Sequence, residues 1–278
     1  MCFPQIILNA FKQQKQVHLK SSQADLVTET DLRVETILKS AIRDKYPVHR
    51  FIGEESVAAG ECVELTDSPT WIIDPIDGTA NFVHRFPFVA ISIAFTVNKQ
   101  VKAPMEFGIV YSCVEDKLFY AQKGRGAFLN GEPLNASGQE GGITCEPDSD
   151  DDDEVRWQGL SGLCCIPDDM LCVCFSVRAL GTAAVDMCQV ATGGADAYYH
   201  IGMHCWDIAA SSIIVQEAGG VVMDTDGSPF DMMSRRVIAA SSTAVANRIS
   251  QVIQAFPCRR DDEDQCRCIC GGKGVNSV

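Results

Sequence analysis

Hydrophobic positions along this chain fall into two periods. Between residues 30 and 46, Val34, Ile37, Leu38, Ala41 and Ile42 recur at the spacing of one helical face, with Thr30 as the expected N-cap and Pro47 as the stop. From residue 89 to 97 strict alternation replaces it. Val89, Ile91, Ile93, Phe95 and Val97 share one side, which predicts a strand. Residues 107–111 and 117–121 predict two more strands, with Glu115-Asp116 at the turn between them and Asn130-Gly131 as a second tight turn. Helices are expected over 182–192 and 206–218, each stopped by a glycine pair. Strands at 221–224 and 236–240 flank the Asp226-Gly227 turn, and residues 243–255 predict a last helix. A short apolar run, Trp71-Ile72-Ile73, stops at Asp74.

One stretch breaks the order. Residues 138–170 hold several Gly and Pro and no sustained period, and 148–154 carry six acids around Ser149. A solvated loop is expected there; a calcium loop would need ligands at positions 1, 3, 5 and 12 around a central Gly, and that spacing is absent. The reading is one domain over 1–257, with 140–175 divergent, followed by an acidic, Cys-rich tail at 258–278 that is expected to be disordered.

Composition then narrows the class. At 46% hydrophobic and 22% charged residues, the chain of 278 residues suits a folded globular protein. No apolar run approaches the roughly 20 residues that span a bilayer, and the opening residues lack a basic n-region, so a cytoplasmic protein away from membranes is expected. The net charge is -14, and -8 without the six acids of 148–154, so a nucleic acid would be repelled. Fourteen Cys contain no Cys-x-x-Cys pair, and reduced thiols are expected. The Cys266, Cys268, Cys270 cluster offers three soft ligands and no clear fourth.

The chemistry-bearing residues are acids at abrupt ends of apolar runs: Asp25 and Asp31, Glu54 and Glu55 after Phe-Ile-Gly, Asp74 and Asp77, and Asp207 after His-Cys-Trp. Carboxylates held at a sheet edge repel one another unless hard cations lie between them, and oxygen-only ligation suits Mg2+ rather than Zn2+. In Asp74-Pro-Ile-Asp-Gly-Thr79, Pro75 stiffens the backbone between two carboxylates and Gly78 permits close approach to a ligand. Thr79 then opens a short helix whose N–H groups could face a phosphate. Two cations sharing one carboxylate form a clamp for in-line phosphoryl transfer to water. The same residues also make an ordinary Asx-Pro-Gly turn, and spacing alone leaves both readings open.

Together the motifs resemble the inositol monophosphatase family of the metal-dependent, lithium-sensitive sugar-phosphatase superfamily, its animal members above all. The pieces are Asp25-Leu-Val-Thr-Glu-Thr-Asp31, Phe51-Ile-Gly-Glu-Glu-Ser56, Trp71-Ile-Ile-Asp-Pro-Ile-Asp-Gly-Thr79, Gly193-Gly-Ala-Asp-Ala-Tyr-Tyr199, His204-Cys-Trp-Asp207 and Glu217-Ala-Gly-Gly220, in the family's order over most of 18–257. The resemblance implies an α/β fold layered as αβαβα, a homodimer, up to three Mg2+ ions, inhibition by Li+, and hydrolysis of a small phosphorylated polyol, the myo-inositol monophosphates. It implies that Glu54, Asp74 and the Ile76 carbonyl hold one metal, that Asp74, Asp77 and Asp207 hold a second, and that Glu54 helps with a third through water. Thr79, supported by Asp31, would activate the attacking water. The phosphate would meet Gly78 and Thr79; the ring hydroxyls would meet Asp77, the Gly181-Thr182-Ala183 helix start, His200 and Asp207.

The chain departs from the family in four places. Ala80 stands where a second Thr is common, and His200 stands where members favouring myo-inositol monophosphates carry a carboxylate. A His can hold a hydroxyl as a donor or a single acceptor, or can simply lie exposed beside Tyr198 and Tyr199. Residues 140–175 do not resemble the central strand and helix of the family. The first residues suggest a shortened or replaced helix, and the tail after Asp264 is foreign. Two alternatives follow: a phosphatase for another small sugar or nucleotide phosphate, or an inactive regulatory paralogue. A calcium-binding or secreted Cys-rich protein rests on composition alone.

Overall fold

In the computed structural model the described residues are 3–13, 17–19, 26–97, 105–138, 177–253 and 258–263; the divergent stretch at 140–175, Asp25 and the Cys266–Cys270 cluster lie outside them. The large sheet has seven strands in sequential order: β3 (Arg50–Gly53), β4 (Thr70–Asp77), β5 (Ala90–Thr96), β6 (Phe107–Ser112), β7 (Lys117–Gln122), β8 (Ala127–Leu129) and β9 (Glu132–Pro133). β3 runs parallel to β4 and every later pairing is antiparallel. The alternation at 89–97 is real, but both sides of β5 are covered. Val89 and Ile91 are buried under α1 (Phe3–Phe11) and α2 (Glu29–Lys45), in a cluster with Ile7, Val34, Leu38, Ile73 and Phe82. Ala90 and Ala94 face a second cluster made with α5 (Ala183–Ala191) and α6 (Cys205–Glu217).

Small residues on that second side let α6 approach the sheet closely. Ser92 Oγ reaches the Trp206 carbonyl at 3.0 Å, and a Cβ on Gly108 would lie 2.5 Å from the Ala210 carbonyl oxygen. Beyond α5 and α6 comes an antiparallel sheet in the order β10 (Ala197–Ile201), β12 (Arg236–Ala240), β11 (Val221–Met223). Helix α7 (Thr243–Val252) covers its far side through Ile238, Ala240 and Ala246. The layers therefore read helix, sheet, helix, sheet, helix, the expected αβαβα order. A two-stranded pairing of β1 (Val17–Leu19) with β2 (Leu26–Thr28) leads into α2. No helix among the described residues is long and apolar enough to cross a membrane.

Three local expectations are corrected. The cap of α2 is Thr28, not Thr30: Thr28 takes the Thr30 N–H on its side chain, while its own N–H donates to Asp31 Oδ2 at 3.1 Å. The apolar run stops at Asp74 but the strand does not: β4 continues to Asp77, pairing Asp74 with Ser92 and Asp77 with Ala90. Two residues, Pro75 and Ile76, thus oppose one on β5. This is a β-bulge, a place where a proline without an N–H costs the ladder nothing. The tail is not disordered from its start: over 258–263 it packs on the domain, with Asp261 only 8% exposed. A carboxylate can be buried there because it has charged and N–H partners waiting, described below.

Candidate active site

The bulge decides the position of two carboxylates. In a regular strand, residues three apart point to opposite faces. The extra residue between Asp74 and Asp77 restores them to one side. Oxygens of Asp74, Asp77 and Asp207 all lie within 4.8 Å of one another. Each is held by donors from its own element or a neighbour. Asp74 Oδ1 takes the Ile76 N–H at 2.9 Å. Asp77 Oδ2 takes the Thr182 hydroxyl at 2.6 Å and the Ala184 N–H at 2.7 Å, at the start of α5. Asp207, in the first turn of α6, takes the His204 N–H at 2.8 Å. These donors fix the position of each carboxylate.

Glu54 joins them from the first position of α3 (Glu54–Ala58), directly after β3. It is hydrogen-bonded to Asp74, and its charge is felt by Asp31, Asp74, Asp77 and Asp207. Burial comes first and mutual repulsion second: Asp74 is pushed well above the usual carboxylate range by desolvation, then by Glu54, Asp77 and Asp207. Asp207 is raised in the same way by burial, Asp77 and Glu54. Asp77 rises only to about 6, because the Thr182 and Ala184 bonds offset part of its burial. The donor set is oxygen only, anionic and desolvated. It fits hard divalent cations between the carboxylates, which would remove the repulsion that raises them.

Beside this cluster lies a hydroxyl with a buried base. Thr79, first residue of α4 (Thr79–His84), places Oγ1 3.3 Å from Asp31 Oδ1 and 3.1 Å from the Ile76 carbonyl oxygen. Asp31 is raised to about 6, mainly by burial, with the Thr28 bonds pulling the other way. Gly78 joins β4 to α4 at φ +87°, and a Cβ there would meet the Phe88 carbonyl oxygen at 3.0 Å, so the turn needs glycine on both counts. Gly181, at φ +78°, packs on Asn81 with equal closeness. Asn81 Nδ2 donates to the carbonyls of Phe88 and Leu180 at 2.8 and 2.7 Å, which ties the Gly181-Thr182-Ala183 turn to the Asp74–Thr79 segment.

His200 lies one layer away on β10, exposed, with Nδ1 2.9 Å from the Tyr198 hydroxyl. Although its surface is exposed, partial desolvation of the ring in the fold lowers its pKa. The Tyr198 phenol is raised well above its usual range by burial and by the charges of Asp186, Asp77 and Asp207. Ala80 is exposed on α4.

Several supporting residues were not singled out from the sequence. Asp186 on α5 is raised to about 7 by burial and by Asp77, and bonds the backbone of Leu180 and Thr182. Glu35 on α2 takes the N–H groups of Glu55 and Ser56 at 2.7 and 3.1 Å, fixing the start of α3 and so Glu54. Only Thr28 had a sequence signal, the Thr-x-x-Asp capping pattern from 28 to 31.

Comparison with known proteins agrees with the geometry. The model of the inositol monophosphatase family matches residues 3–256. Human inositol monophosphatase 1 is 56% identical, over 94% of this chain and 93% of its own length. Human inositol monophosphatase 2 is 46% identical, over 93% of this chain and 89% of its own. Among solved structures, an IMPase from Thermotoga maritima superposes with a TM-score of 0.75 at 29% identity, covering 90% of this chain and 91% of that one.

Proposed function

The chain belongs to the inositol monophosphatase family, and from that premise we propose that it hydrolyses myo-inositol monophosphates to inositol and phosphate in a Mg2+-dependent reaction. The observation that carries the reading is the convergence of Asp74, Asp77 and Asp207 within 4.8 Å, beside Glu54. Glu54, Asp74 and the Ile76 carbonyl would hold one cation, Asp74, Asp77 and Asp207 a second, and Glu54 a third through water. Bound there, the cations supply charge stabilisation for the phosphoryl group and acidify the attacking water.

The chain's own residues do the rest. Thr79 Oγ1 orients the water and relays its proton: the hydroxyl passes its hydrogen to Asp31 Oδ1, 3.3 Å away, as it accepts one from water. Burial, which raises Asp31 above the usual carboxylate range, favours its taking that proton. The Gly78 and Thr79 N–H groups, at the start of α4, suit a phosphate oxygen. Asp77, Asp207, His200 and the Gly181-Thr182-Ala183 turn would meet the ring hydroxyls.

One feature favours a second substrate reading. Held through Nδ1 by Tyr198, His200 has Nε2 left for one hydrogen bond, where a carboxylate would offer several acceptor positions. A weaker grip on the inositol ring leaves room for another small sugar or nucleotide phosphate. The reading extends to a homodimer of a single catalytic domain, located in the cytoplasm, inhibited by Li+ and without nucleic-acid or membrane partners.

The test is phosphate release from myo-inositol 1-phosphate, 2′-AMP and a hexose 1-phosphate, with and without Mg2+. Mg2+-dependent release led by the inositol ester, and lost in Asp74→Asn, is expected. Release led by another ester would move the substrate. No release from folded protein would favour an inactive paralogue.

A further inference from the structure

Residues 258–263 return to the start of α6, the helix that carries Asp207. Asp261 Oδ2 takes the Cys205 N–H at 2.7 Å, and Oδ1 lies 2.6 Å from His204 Nδ1. The Asp261 N–H donates to the Met233 carbonyl at 3.0 Å. Arg235 closes the assembly: its Nε lies 3.8 Å from Asp261 Oδ1, and its guanidinium donates to the carbonyls of Gly202 and Met203 at 2.7 and 3.1 Å. Arg260 pins the segment from its other side through Asp231 at 2.6 Å.

Two carboxylates therefore share one helix start. Asp207 takes the His204 N–H and Asp261 takes the next, that of Cys205. Anionic acceptors compete for such N–H groups. With Asp261 in place, Cys205 is satisfied from outside the site and Asp207 keeps an oxygen for the cluster. Without it, the Cys205 N–H loses its carboxylate acceptor, while Asp207 already accepts from the adjacent His204 N–H on the same helix start. His204, stacked on Trp206 at 4.5 Å between ring centroids, would also lose its anchor.

We propose that Asp261 is a positioning residue for Asp207, and that the 258–263 strap thereby sets the affinity of the cation site to which Asp207 contributes. The proposal rests on the reading of Asp207 as a metal ligand. Outer partners of metal ligands are worth on the order of ten- to a hundred-fold in affinity.

The experiment titrates Mn2+ into the full chain by calorimetry and by electron paramagnetic resonance, with Mg2+ half-saturation of phosphate release measured in parallel. Asp261→Ala is expected to weaken one Mn2+ class at least ten-fold. Asp261→Asn, whose amide oxygen still accepts from Cys205, should recover most of it. Arg260→Ala, which loosens the strap without touching α6, should weaken the same class less; it also serves if Asp261→Ala does not fold. Wild-type Mn2+ affinity in Asp261→Ala, or in Arg260→Ala when the former is unfolded, overturns the proposal. If Asp207→Asn also binds Mn2+ like wild type, the metal reading of Asp207 has failed, and the proposal falls with it for that separate reason.

Discussion

Removing the Glu35 carboxylate tests whether Glu54 is held in place by backbone contacts or by a buried ion pair. Glu35 lies 3.0 Å from Lys39 Nζ, with side-chain exposures of 4% and 11%. At that distance, and with an effective dielectric of about 20, the attraction is about 5 kcal/mol before desolvation is charged against it. Yet Glu35 also accepts from the Glu55 and Ser56 N–H groups and the Ser56 hydroxyl. Glu35→Ala would leave all of these donors without their acceptor and take from the buried Lys39 ammonium its nearer carboxylate, leaving it Ser56 and the exposed Glu61 at 3.6 Å, at a cost of roughly 3–5 kcal/mol. Lys39→Met removes one charge-assisted partner and leaves the carboxylate on the start of α3, so about 1.5–3 kcal/mol is expected. Urea unfolding of both variants gives the order. Mg2+ half-saturation should rise in Glu35→Ala, because the start of α3 carries Glu54. A Lys39→Met loss as large as that of Glu35→Ala would refute the ranking, and an unchanged Mg2+ requirement in Glu35→Ala would refute the link to Glu54.

Other outcomes follow from the same geometry. Thr79→Ala should lower kcat roughly 10^2- to 10^4-fold while Mn2+ affinity stays within about two-fold, and Thr79→Ser should restore most of the rate. In metal-free protein, Asp31 and Asp77 have folded pKa values of about 6, above the ordinary 3.8. Their contribution is therefore full below about pH 4 and is lost as pH rises through about 6. Melting temperature in chelator should fall between about pH 4 and pH 7, and the gain on adding Mg2+ should be larger at the higher pH. Gly108→Ala would drive a Cβ to 2.5 Å from the Ala210 carbonyl oxygen and 2.6 Å from Ile213 Cγ2. Calorimetry should show a loss of about 1–3 kcal/mol or more, since α6 must lift from the sheet.

How far the sequence could be read depended on what each signal measures. Periodicity located α2, β5, β6 and β7, where apolar positions recur at the period of the element; α5 and α6 are buried nearly all round and were bounded instead by the glycine pairs that stop them. It could not register the bulge at Pro75-Ile76. An inserted residue looks like the end of a strand, although it is what turns Asp74 and Asp77 to one side. Motif chemistry picked out Asp74, Asp77 and Asp207, which the fold brings together from β4 and α6, with Glu54 from α3. The positioning layer was harder to see. Glu35 reads as one more solvent-facing acid on an amphipathic helix, and Asp261 as part of an exposed charge run. Their burial comes from partners 20 and 56 residues away in sequence, at Glu55 and Cys205. A charge whose partner is tertiary leaves no local trace.

The central claim is that these carboxylates converge because cations belong between them. It is tested most directly by crystals grown with Mn2+ and measured for anomalous scattering. The account predicts at least two peaks, both in contact with Asp74, one shared with Glu54 and one with Asp77 and Asp207. Crystals with saturating Mn2+, no peak at Asp74, and the carboxylates paired through shared protons would contradict it.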